Sequence, residues 1–199
     1  LGGENLTTRN AAAALSQLKG QVELTNEYGP TEAVVGCVTH RFDPEYDTSD
    51  DVPIGRPIDN VSIEVINHEG VQVPLGVPGE LSVSRPGLAR GYHGLAELTE
   101  ARFVTGRQGM RSYRTGDRVR LREDGVLEYL GRMDRQLKLA GVRIEPAEIE
   151  QALGRVAGVR EAAVITRRAS NESQTRLEEV EHCVRCGLAS NVPRFSLSE

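Results

Sequence analysis

One short segment combines an aromatic ring, a tight turn, a hydroxyl and a carboxylate. Residues 26–32 read Asn-Glu-Tyr-Gly-Pro-Thr-Glu. Tyr28 offers a flat apolar face on which a nucleotide base could stack, and Gly29 with its following proline makes a turn that lets the backbone approach phosphate closely. Thr31 supplies a hydroxyl and an N–H for phosphate, and Glu32 supplies the hard oxygen that Mg²⁺ prefers. The segment alone is equally consistent with an ordinary turn in which Thr31 caps a helix.

A second segment could bind a metal ion through sulfur. Cys183 and Cys186 are separated by two residues and followed by Gly187, which is the form in which zinc ribbons present two thiolates on a tight turn. A structural zinc site needs four ligands, and His182 is a poor third ligand because neighbouring side chains point apart. The pair is interpreted as half of a Zn²⁺ site; the alternatives are a reducible disulfide or two incidental thiols. Cys37 follows a β-branched stretch and is expected in the core.

Most of the elements that must position these segments are short strands. Alternation of polar and apolar residues predicts strands at residues 21–25, 61–66, 71–73, 80–84, 136–139, 142–144 and 161–166, with two more folded around Asp124-Gly125 between residues 118 and 130. Helix formers and end signals predict helices over residues 9–19, 96–103 and from Pro146 to Gly158. Residues 26–32 are expected to be a loop, and residues 41–60 a polar connection.

Composition excludes several classes of protein. The chain has 199 residues, which is enough for one domain or two small ones. Its net charge is −5 and no block of like charges is present, which argues against a nucleic-acid partner or an anionic membrane surface. No run of apolar residues is long enough for a membrane span, and we expect a cytoplasmic protein. Because the chain begins with Leu1 rather than Met, we also expect it to be an excerpt of a longer polypeptide.

Four segments in sequence order resemble the signatures of the adenylate-forming superfamily, which includes acyl- and aryl-CoA synthetases, luciferases and adenylation domains of nonribosomal peptide synthetases. Residues 26–32 resemble the family's N-x-Y-G-P-T-E loop, and residues 79–92 resemble its G-E-L…A-R-G-Y segment. Residues 113–117 resemble Y-R-T-G-D, and residues 131–150 resemble G-R-x-D-x-Q-V-K…G-x-R-I-E…E-I-E. The resemblance covers about residues 1–166. The amino-acid-activating branch fits best, since N-x-Y-G-P-T-E is its usual spelling.

The resemblance implies a mixed α+β fold in several parts. Residues 1–51 would be the end of a large α/β core, and residues 52–130 would be a small, distorted β-barrel-like subdomain. Residues 131–166 would begin a small, mobile α+β C-terminal subdomain. A linker over residues 167–181 and the Cys-x-x-Cys tail over residues 182–199 would follow.

The resemblance also implies an activity. Such enzymes use ATP and Mg²⁺ to convert a carboxylic or amino acid into an acyl adenylate with release of pyrophosphate. They then pass the acyl group to a thiol, either the phosphopantetheine of a carrier protein or CoA. The family's phosphate loop would lie in an upstream part of the same polypeptide. Its catalytic lysine has no match, because Lys19 and Lys138 are the only lysines and neither lies in a Gly-Lys segment. The isolated chain is therefore not expected to catalyse full adenylation.

The resemblance assigns most of the nucleotide contacts to a few residues. It implies catalytic roles for Thr31 and Glu32, with Glu32 as the Mg²⁺ ligand. The nucleotide-binding residues that it implies are Gly3, Glu4, Tyr28, Gly29, Thr31, Asp117 and Arg132. Asp117 would accept hydrogen bonds from both ribose hydroxyls, and Arg132 would contact the ribose. Without the resemblance, Asp117 would be interpreted as a solvated turn residue.

A further set of residues would serve the transfer to the thiol. Asp134 would be the hinge about which the C-terminal subdomain rotates between the two half-reactions. Gly141 would let the backbone approach a pantetheine arm, and Arg143 would reach phosphate in the thioester-forming conformation. The ordinary alternatives are a surface ion pair between Arg132 and Asp134, a bulge at Gly141 and a solvated Arg143. Two rivals exist for the whole chain: a noncatalytic nucleotide- or partner-binding fragment of a degenerate adenylation domain, or a carrier for the zinc-ribbon-like cysteine pair.

Overall fold

The computed structural model describes residues 1–18, 22–106, 109–139, 142–156, 158–164, 167–168 and 175–176. The chain divides into two units, the first spanning Leu1–Asp134 and the second beginning at Arg135. Helices and antiparallel sheets occur together, which confirms a mixed α+β fold. The predicted boundaries of the finer subdomains stay predictions. Within the described ranges, no helix is both long enough and apolar enough to cross a membrane.

The first unit begins with a helix and a three-stranded sheet. Helix α1 spans Thr8–Gln17, and the Thr7 side chain caps its start by accepting a hydrogen bond from the Asn10 N–H at 3.2 Å. The antiparallel strands are β1 (Thr25–Tyr28), β2 (Val38–Arg41) and β3 (Arg56–Pro57), in the order β1-β2-β3. A small core joins these elements; its buried members are Ala11, Leu24, Phe42 and Val52.

The first strand starts four residues later and ends three residues later than the sequence pattern predicts. β1 pairs with β2 from Thr25 opposite Arg41 to Tyr28 opposite Val38. The strand therefore occupies the first half of the segment predicted as a loop, and Val22 to Leu24 lie outside it. The reason is non-local: the partner strand supplies the ladder hydrogen bonds, and local alternation does not show where that partner begins and ends. The shift places Tyr28 at the end of a strand rather than in a free loop.

A five-stranded antiparallel sheet forms most of the remaining first unit. Its strands are β4 (Ser62–Ile66), β5 (Gly79–Ser84), β6 (Phe103–Thr105), β7 (Arg111–Leu121) and β8 (Leu127–Arg132), and helix α2 (Ala96–Arg102) precedes β6. β7 is the central strand. β5 pairs with one side of β7, and β6 and β8 pair one after the other along its opposite side. The strands predicted at 61–66, at 80–84 and around Asp124-Gly125 are confirmed. The segment predicted as a strand at 71–73 does turn back onto β4, since the Val73 N–H donates to the Val65 carbonyl at 2.9 Å. It forms only a single bridge, from Gln72 to Ile66, rather than a strand, and Pro74 then removes a backbone donor.

β7 carries a bulge where it faces β5. Ser82 pairs with Arg114 and Glu80 pairs with Arg118, so β7 uses four residues where β5 uses two. Gly116 lies in this bulge with φ +71°, a conformation that glycine adopts without steric cost. Bulges of this kind redirect side chains and are frequent beside functional sites. Here the redirected residue is Asp117.

One hydrophobic core connects the two sheets of the first unit. It contains Ala33, Cys37, Val38, Ile54, Val61, Val65, Leu81, Val83, Val119 and Leu127. Backbone hydrogen bonds reinforce the connection, since Leu127 N–H donates to the Gly55 carbonyl at 2.7 Å and Ile54 N–H donates to the Leu127 carbonyl at 3.0 Å. The expectation that Cys37 is a core residue is confirmed, because none of its surface is exposed.

The second unit contains a hairpin followed by a helix. Its elements are β9 (Leu137–Leu139), β10 (Val142–Ile144), α3 (Pro146–Gly154), β11 (Arg167–Arg168) and β12 (Thr175–Arg176). Pro146 occupies the first helical turn as predicted, but α3 ends at Gly154 and not at Gly158. No strand forms at the described residues 161–164. The Val164 N–H donates instead to the Glu150 side chain at 2.8 Å, and this contact replaces a ladder hydrogen bond.

Candidate functional site

A buried carboxylate lies where β1 meets the bulge of β7. Asp117 is 6% exposed, and its Oδ2 accepts a hydrogen bond from the Tyr28 hydroxyl. Its Oδ1 accepts one from Arg132 Nη1 at 3.0 Å, and its backbone N–H donates to Thr115 Oγ1 at 3.0 Å. The structure therefore joins three residues that the sequence assigned to one nucleotide. The alternative of a solvated turn residue at Asp117 is wrong.

The Asp117 carboxylate keeps capacity for a ligand. An ionised carboxylate has about four lone-pair positions, and Tyr28 and Arg132 each use one of them. The Tyr129 phenol also lies beside Asp117, whose charge adds to burial in raising the Tyr129 pKa, and the acceptor positions that remain suit a ribose hydroxyl. Burial, followed by the Asp117 charge, raises the pKa of the Tyr28 phenol well above its ordinary value, so Tyr28 remains a hydrogen-bond donor. The Tyr28 ring also packs against Tyr129, with ring centroids 6.4 Å apart.

Arg132 links Asp117 to the predicted hinge residue. Arg132 is the last residue of β8, and its Nε and Nη2 donate to the two Asp134 carboxylate oxygens at 2.8 and 2.5 Å. Its Nη1 also donates to the Thr115 carbonyl at 2.8 Å. A second guanidinium, that of Arg102 on α2, approaches Asp134 Oδ2 to 3.3 Å. The ion pair of Arg132 and Asp134 thus exists, and it belongs to a network that includes the buried Asp117.

Glu80 supports this network from β5. The whole residue is only 4% exposed, and its Oε1 accepts a hydrogen bond from the Gly116 N–H at 2.9 Å. Its Oε2 accepts hydrogen bonds from Arg114 Nε and Nη2 at 2.9 and 2.6 Å, while Arg102 Nη1 lies 3.9 Å from Oε1. A Cβ at Gly116 would lie 2.8 Å from Arg132 Nη2 and 2.9 Å from Arg102 Nη1, so a side chain here would displace the two guanidinium groups, while the positive φ of Gly116 favours glycine. Glu80 therefore fixes the bulge from which Asp117 projects.

The Glu80 network is a part of the site that sequence reasoning missed. A cleft of about 300 Å³ lies beside it, lined in part by Arg102, Met133 and Asp134. The available signal was the G-E-L segment, whose acidic residue lies on a strand next to the buried Leu81. A cavity of about 630 Å³ elsewhere in the first unit includes Glu64, Val73 and Ser82 and none of the predicted site residues.

Glu32 lies in a short 3₁₀ turn, Thr31–Ala33, directly after the Gly-Pro pair. The whole residue is 6% exposed, and its Oε1 accepts a hydrogen bond from the Tyr92 hydroxyl at 2.7 Å. The Tyr92 hydroxyl also lies 3.2 Å from that of Tyr113. Burial first, and then Tyr92 and Glu32, raise the pKa of Tyr113 well above its ordinary value. The helix-cap alternative for Thr31 is wrong, because Pro30 occupies the cap position and no side chain caps the turn.

The surroundings of Glu32 fit a metal ion that arrives with a nucleotide. In the part of the chain that the structure describes, no group of three or more His, Cys, Asp or Glu side chains could hold a metal ion by itself. Mg²⁺ in phosphate-transfer sites takes one or two protein carboxylates and completes its shell with phosphate oxygens and water. Glu32 supplies such a single carboxylate beside the exposed Thr31. The Mg²⁺ assignment remains a prediction that the residues fit.

Gly29 has a steric role in the same loop. A Cβ at this position would lie 1.1 Å from the Val35 carbonyl oxygen, so no side chain fits. Cys37 N–H donates to the Tyr28 carbonyl at 2.9 Å and closes the loop. Gly29 is therefore required by the close approach of residues 29 and 35, whatever it contributes to phosphate binding.

The remaining predicted residues are near β1, in the second unit or outside the described residues. Gly3 has φ +94°. Gly3 and the exposed Glu4 follow Gly2, which forms a β-bridge with Glu27 of β1. Arg143 lies on β10 in the second unit, where its Nε is 3.7 Å from a Glu145 oxygen. The predictions for Gly141, Cys183 and Cys186 fall outside the described residues.

Comparison with known proteins places the chain in a family. Residues 1–93 match the family described as AMP-binding enzyme. Bacitracin synthase 3 of Bacillus licheniformis is 42% identical over 176 residues, which are 87% of this chain and 3% of that protein. Tyrocidine synthase 3 of Brevibacillus parabrevis is 44% identical over 167 residues, which are 83% of this chain and 3% of that protein. The chain thus spans a small fraction of the length of these relatives.

Solved structures agree. PA1221, a nonribosomal peptide synthetase (NRPS) protein containing adenylation and PCP domains, is 34% identical with a TM-score of 0.75, over 84% of this chain and 34% of that one. The Vibrio cholerae adenylation domain AlmE, in complex with glycyl-adenosine-5′-phosphate, is 32% identical with a TM-score of 0.77, over 88% of this chain and 33% of that one.

The mixed α+β architecture matches that of adenylation-domain structures. The chain belongs to the AMP-binding superfamily. Its homologues are the amino-acid-activating adenylation domains of nonribosomal peptide synthetases, and the chain corresponds to a portion of such a domain. The predicted superfamily and its amino-acid-activating branch are therefore confirmed.

Proposed function

We propose that this chain supplies the ribose, magnesium and hinge residues of an adenylation domain that activates an amino acid with ATP. The observation that carries the proposal is the buried Asp117 carboxylate, fixed by Tyr28 and Arg132 with acceptor positions to spare. The glycyl-adenosine-5′-phosphate in the similar AlmE supports an aminoacyl adenylate as the product class. The acceptor of the aminoacyl group is a phosphopantetheine thiol, on a carrier protein or on CoA, and the PCP domain of PA1221 favours the carrier protein.

This chain would hold the ribose and the adenine of the nucleotide. Asp117 accepts hydrogen bonds from the ribose hydroxyls, and Arg132 holds the Asp117 carboxylate and reaches the ribose. Tyr28 contributes the face for adenine, next to the segment that carries Gly3 and Glu4. A substrate anchored in this way binds in one orientation, which lowers the entropy cost of the reaction that follows.

The reaction needs positioning and charge neutralisation more than covalent help from the protein. An oxygen of the amino acid's carboxylate attacks the α-phosphorus of ATP, the bond to the bridging oxygen breaks, and pyrophosphate leaves with that electron pair. Thr31 donates a hydrogen bond to the α-phosphate, and Glu32 holds Mg²⁺ in place. Bound Mg²⁺ supplies neutralisation of the phosphate charge. Because fixed donors and cations face the charge as it develops, they stabilise the transition state more than the ground state.

Transfer to the thiol would use the second set of residues. Asp134 lies at the end of the first unit, the position expected of a hinge that turns the following segment between two half-reactions. Gly141 and Arg143 would then serve the thioester-forming conformation. Arg143 is exposed on β10, as a residue that meets a partner in only one of two conformations must be.

ATP–pyrophosphate exchange tests the proposal. In the gene product that carries this chain, we expect exchange that depends on an amino acid. Asp117→Ala should raise the KM for ATP about thirtyfold or more, because two ribose hydrogen bonds to a charged group are lost. Asp124→Ala is the matched control, since Asp124 lies in the exposed turn between β7 and β8 and should leave the exchange unchanged. Unaltered ATP kinetics in Asp117→Ala would contradict the assignment.

The noncatalytic alternative predicts a different outcome. A degenerate domain would bind AMP by calorimetric titration, with loss of binding in Asp117→Ala, but would show no exchange with any amino acid. Absence of AMP binding in the gene product would count against both functions.

A further inference from the structure

Two neighbouring valines follow the Thr31–Glu32 pair in left-handed backbone conformations. Val34 has φ +59° and Val35 has φ +58°. A β-branched L-residue rarely adopts this region, because its side chain crowds the backbone, so each conformation is strained. The two side chains are 55% and 64% exposed. Burial of apolar surface therefore does little to offset the strain, and something else must hold the pair.

Arg85 holds the backbone on both sides of the two valines. Its Nη1 donates to the Ala33 carbonyl at 3.0 Å and to the Gly36 carbonyl at 2.9 Å. These carbonyls belong to the residues immediately before and after the strained pair. Hydrogen bonds from a charged donor are stronger than those between neutral groups. One half-buried guanidinium thus closes the strained segment from both ends.

The arm that carries this guanidinium is itself fixed. Arg85 is the first residue after β5, and the proline that follows it restricts Arg85 to an extended backbone. The segment beyond also binds the loop: Ala89 N–H donates to the Glu32 carbonyl at 2.8 Å, and the Tyr92 hydroxyl binds the Glu32 side chain. Residues 85–92 therefore hold the backbone and the side chain of Glu32 relative to the central sheet.

We propose that Arg85 is a positioning residue that maintains the strained Val34–Val35 segment and thereby fixes the placement of Thr31 and Glu32. Its effect on the reaction rests on the proposed function; its effect on the loop does not. Arg85 acts through the carbonyls of Ala33 and Gly36 and touches no reacting atom. Losing it lets Val34 and Val35 relax to ordinary backbone conformations, which moves the adjoining turn.

Amide hydrogen exchange of the chain tests the effect on the loop. Three N–H groups report on it: Val34 donates to the Thr31 carbonyl, Val35 to the Pro30 carbonyl and Cys37 to the Tyr28 carbonyl. Arg85→Ala should speed the exchange of the valine amides about tenfold or more, and Arg85→Lys should show a smaller increase because one charged donor remains. Arg122→Ala is the control, since Arg122 forms an exposed ion pair in a distant turn. Unchanged protection in both Arg85 variants would overturn the proposal.

Kinetics with strain-relieved variants test the effect on the reaction. In the gene product, Arg85→Ala should lower kcat for pyrophosphate exchange about tenfold while the KM for ATP changes much less. Val34→Asn with Val35→Asn should restore most of that loss in the Arg85→Ala background, because asparagine tolerates the left-handed region. An equal loss with and without the asparagines would refute a role through strain. If the wild-type protein shows no exchange at all, the proposed function fails, and amide exchange still decides the role of Arg85.

Discussion

Replacing Glu80 tests whether the bulge of β7 depends on a buried carboxylate. Glu80→Gln keeps the shape of the side chain and an oxygen for the Gly116 N–H, but it removes the charge that Arg114 faces at 2.6 Å. Glu80→Ala removes both interactions and leaves the Gly116 N–H without its acceptor. Glu128→Gln provides a matched control, because Glu128 forms an ion pair of the same length with Arg120 on the same sheet, but with Arg120 45% exposed.

The expected sizes follow from burial. Glu80 is 6% exposed at its side chain whereas Arg114 is 26% exposed, so Arg114 is partly rehydrated when its partner is lost. The destabilisation is therefore below the 3–5 kcal/mol typical of breaking a fully buried pair: about 1.5 kcal/mol for Glu80→Gln. Glu80→Ala should lose about 3 kcal/mol, because an unsatisfied buried N–H and a small cavity add to the lost charge. Glu128→Gln should lose about 0.5 kcal/mol or less.

Urea unfolding followed by tyrosine fluorescence measures these values. The chain has five tyrosines and no tryptophan, and every tyrosine lies before Arg135, so the signal reports on the first unit alone. The free energy of unfolding should fall in the order wild type, Glu128→Gln, Glu80→Gln, Glu80→Ala. If Glu80→Gln is no less stable than Glu128→Gln, the carboxylate does not hold the bulge and the reasoning is wrong.

Two further predictions concern titratable groups away from Asp117. The Val164 N–H and then the Arg135 guanidinium hold the pKa of Glu150 below its ordinary value of 4.5. The contact between the Glu150 carboxylate and these two groups therefore stabilises the second unit above that pH. This stabilisation is lost as the pH falls through the lowered pKa. The Val164 amide should therefore exchange faster as the pH falls below 4.5, relative to Glu150→Gln, and the same pH response in that variant would contradict the assignment. Burial raises the pKa of the Cys37 thiol to about 12, so iodoacetamide at about pH 8 should label Cys37 only after denaturation; rapid labelling of the native chain, read by mass spectrometry, would show that the core is open.

Local signals were sufficient for the elements whose pattern is complete within a few residues. The strands at 61–66 and 80–84 alternate cleanly, and Pro146 marks the start of α3. The predicted position of β1 differs from the observed one because the limits of β1 depend on β2, a partner strand that begins ten residues after Tyr28. The bulge of β7 could not be predicted from the sequence for a similar reason, because a bulge is defined by the register between two paired strands.

The motifs pointed to residues that the structure brings together, but they did not indicate the contacts among these residues. Asp117 and Arg132 were assigned to the ribose, yet the bond between Tyr28 and Asp117 joins residues 89 positions apart and follows from no local pattern. Glu80 and Arg85 were missed because their roles are to hold backbone atoms of other segments. Such roles depend on tertiary distances, which composition and spacing do not contain.

The bulge has a consequence for recombination between related domains. Glu80 accepts a hydrogen bond from the Gly116 N–H, which lies 36 positions away, and Arg114 on β7 donates to the same carboxylate. A crossover point between β5 and β7 would combine the Glu80 carboxylate of one parent with the β7 strand of another. The carboxylate would reach the Gly116 N–H only if both parents share the same bulge. Chimeras assembled with junctions before Gly79 or after Leu121 keep this contact within one parent, and we expect them to fold more often than those cut between the two strands.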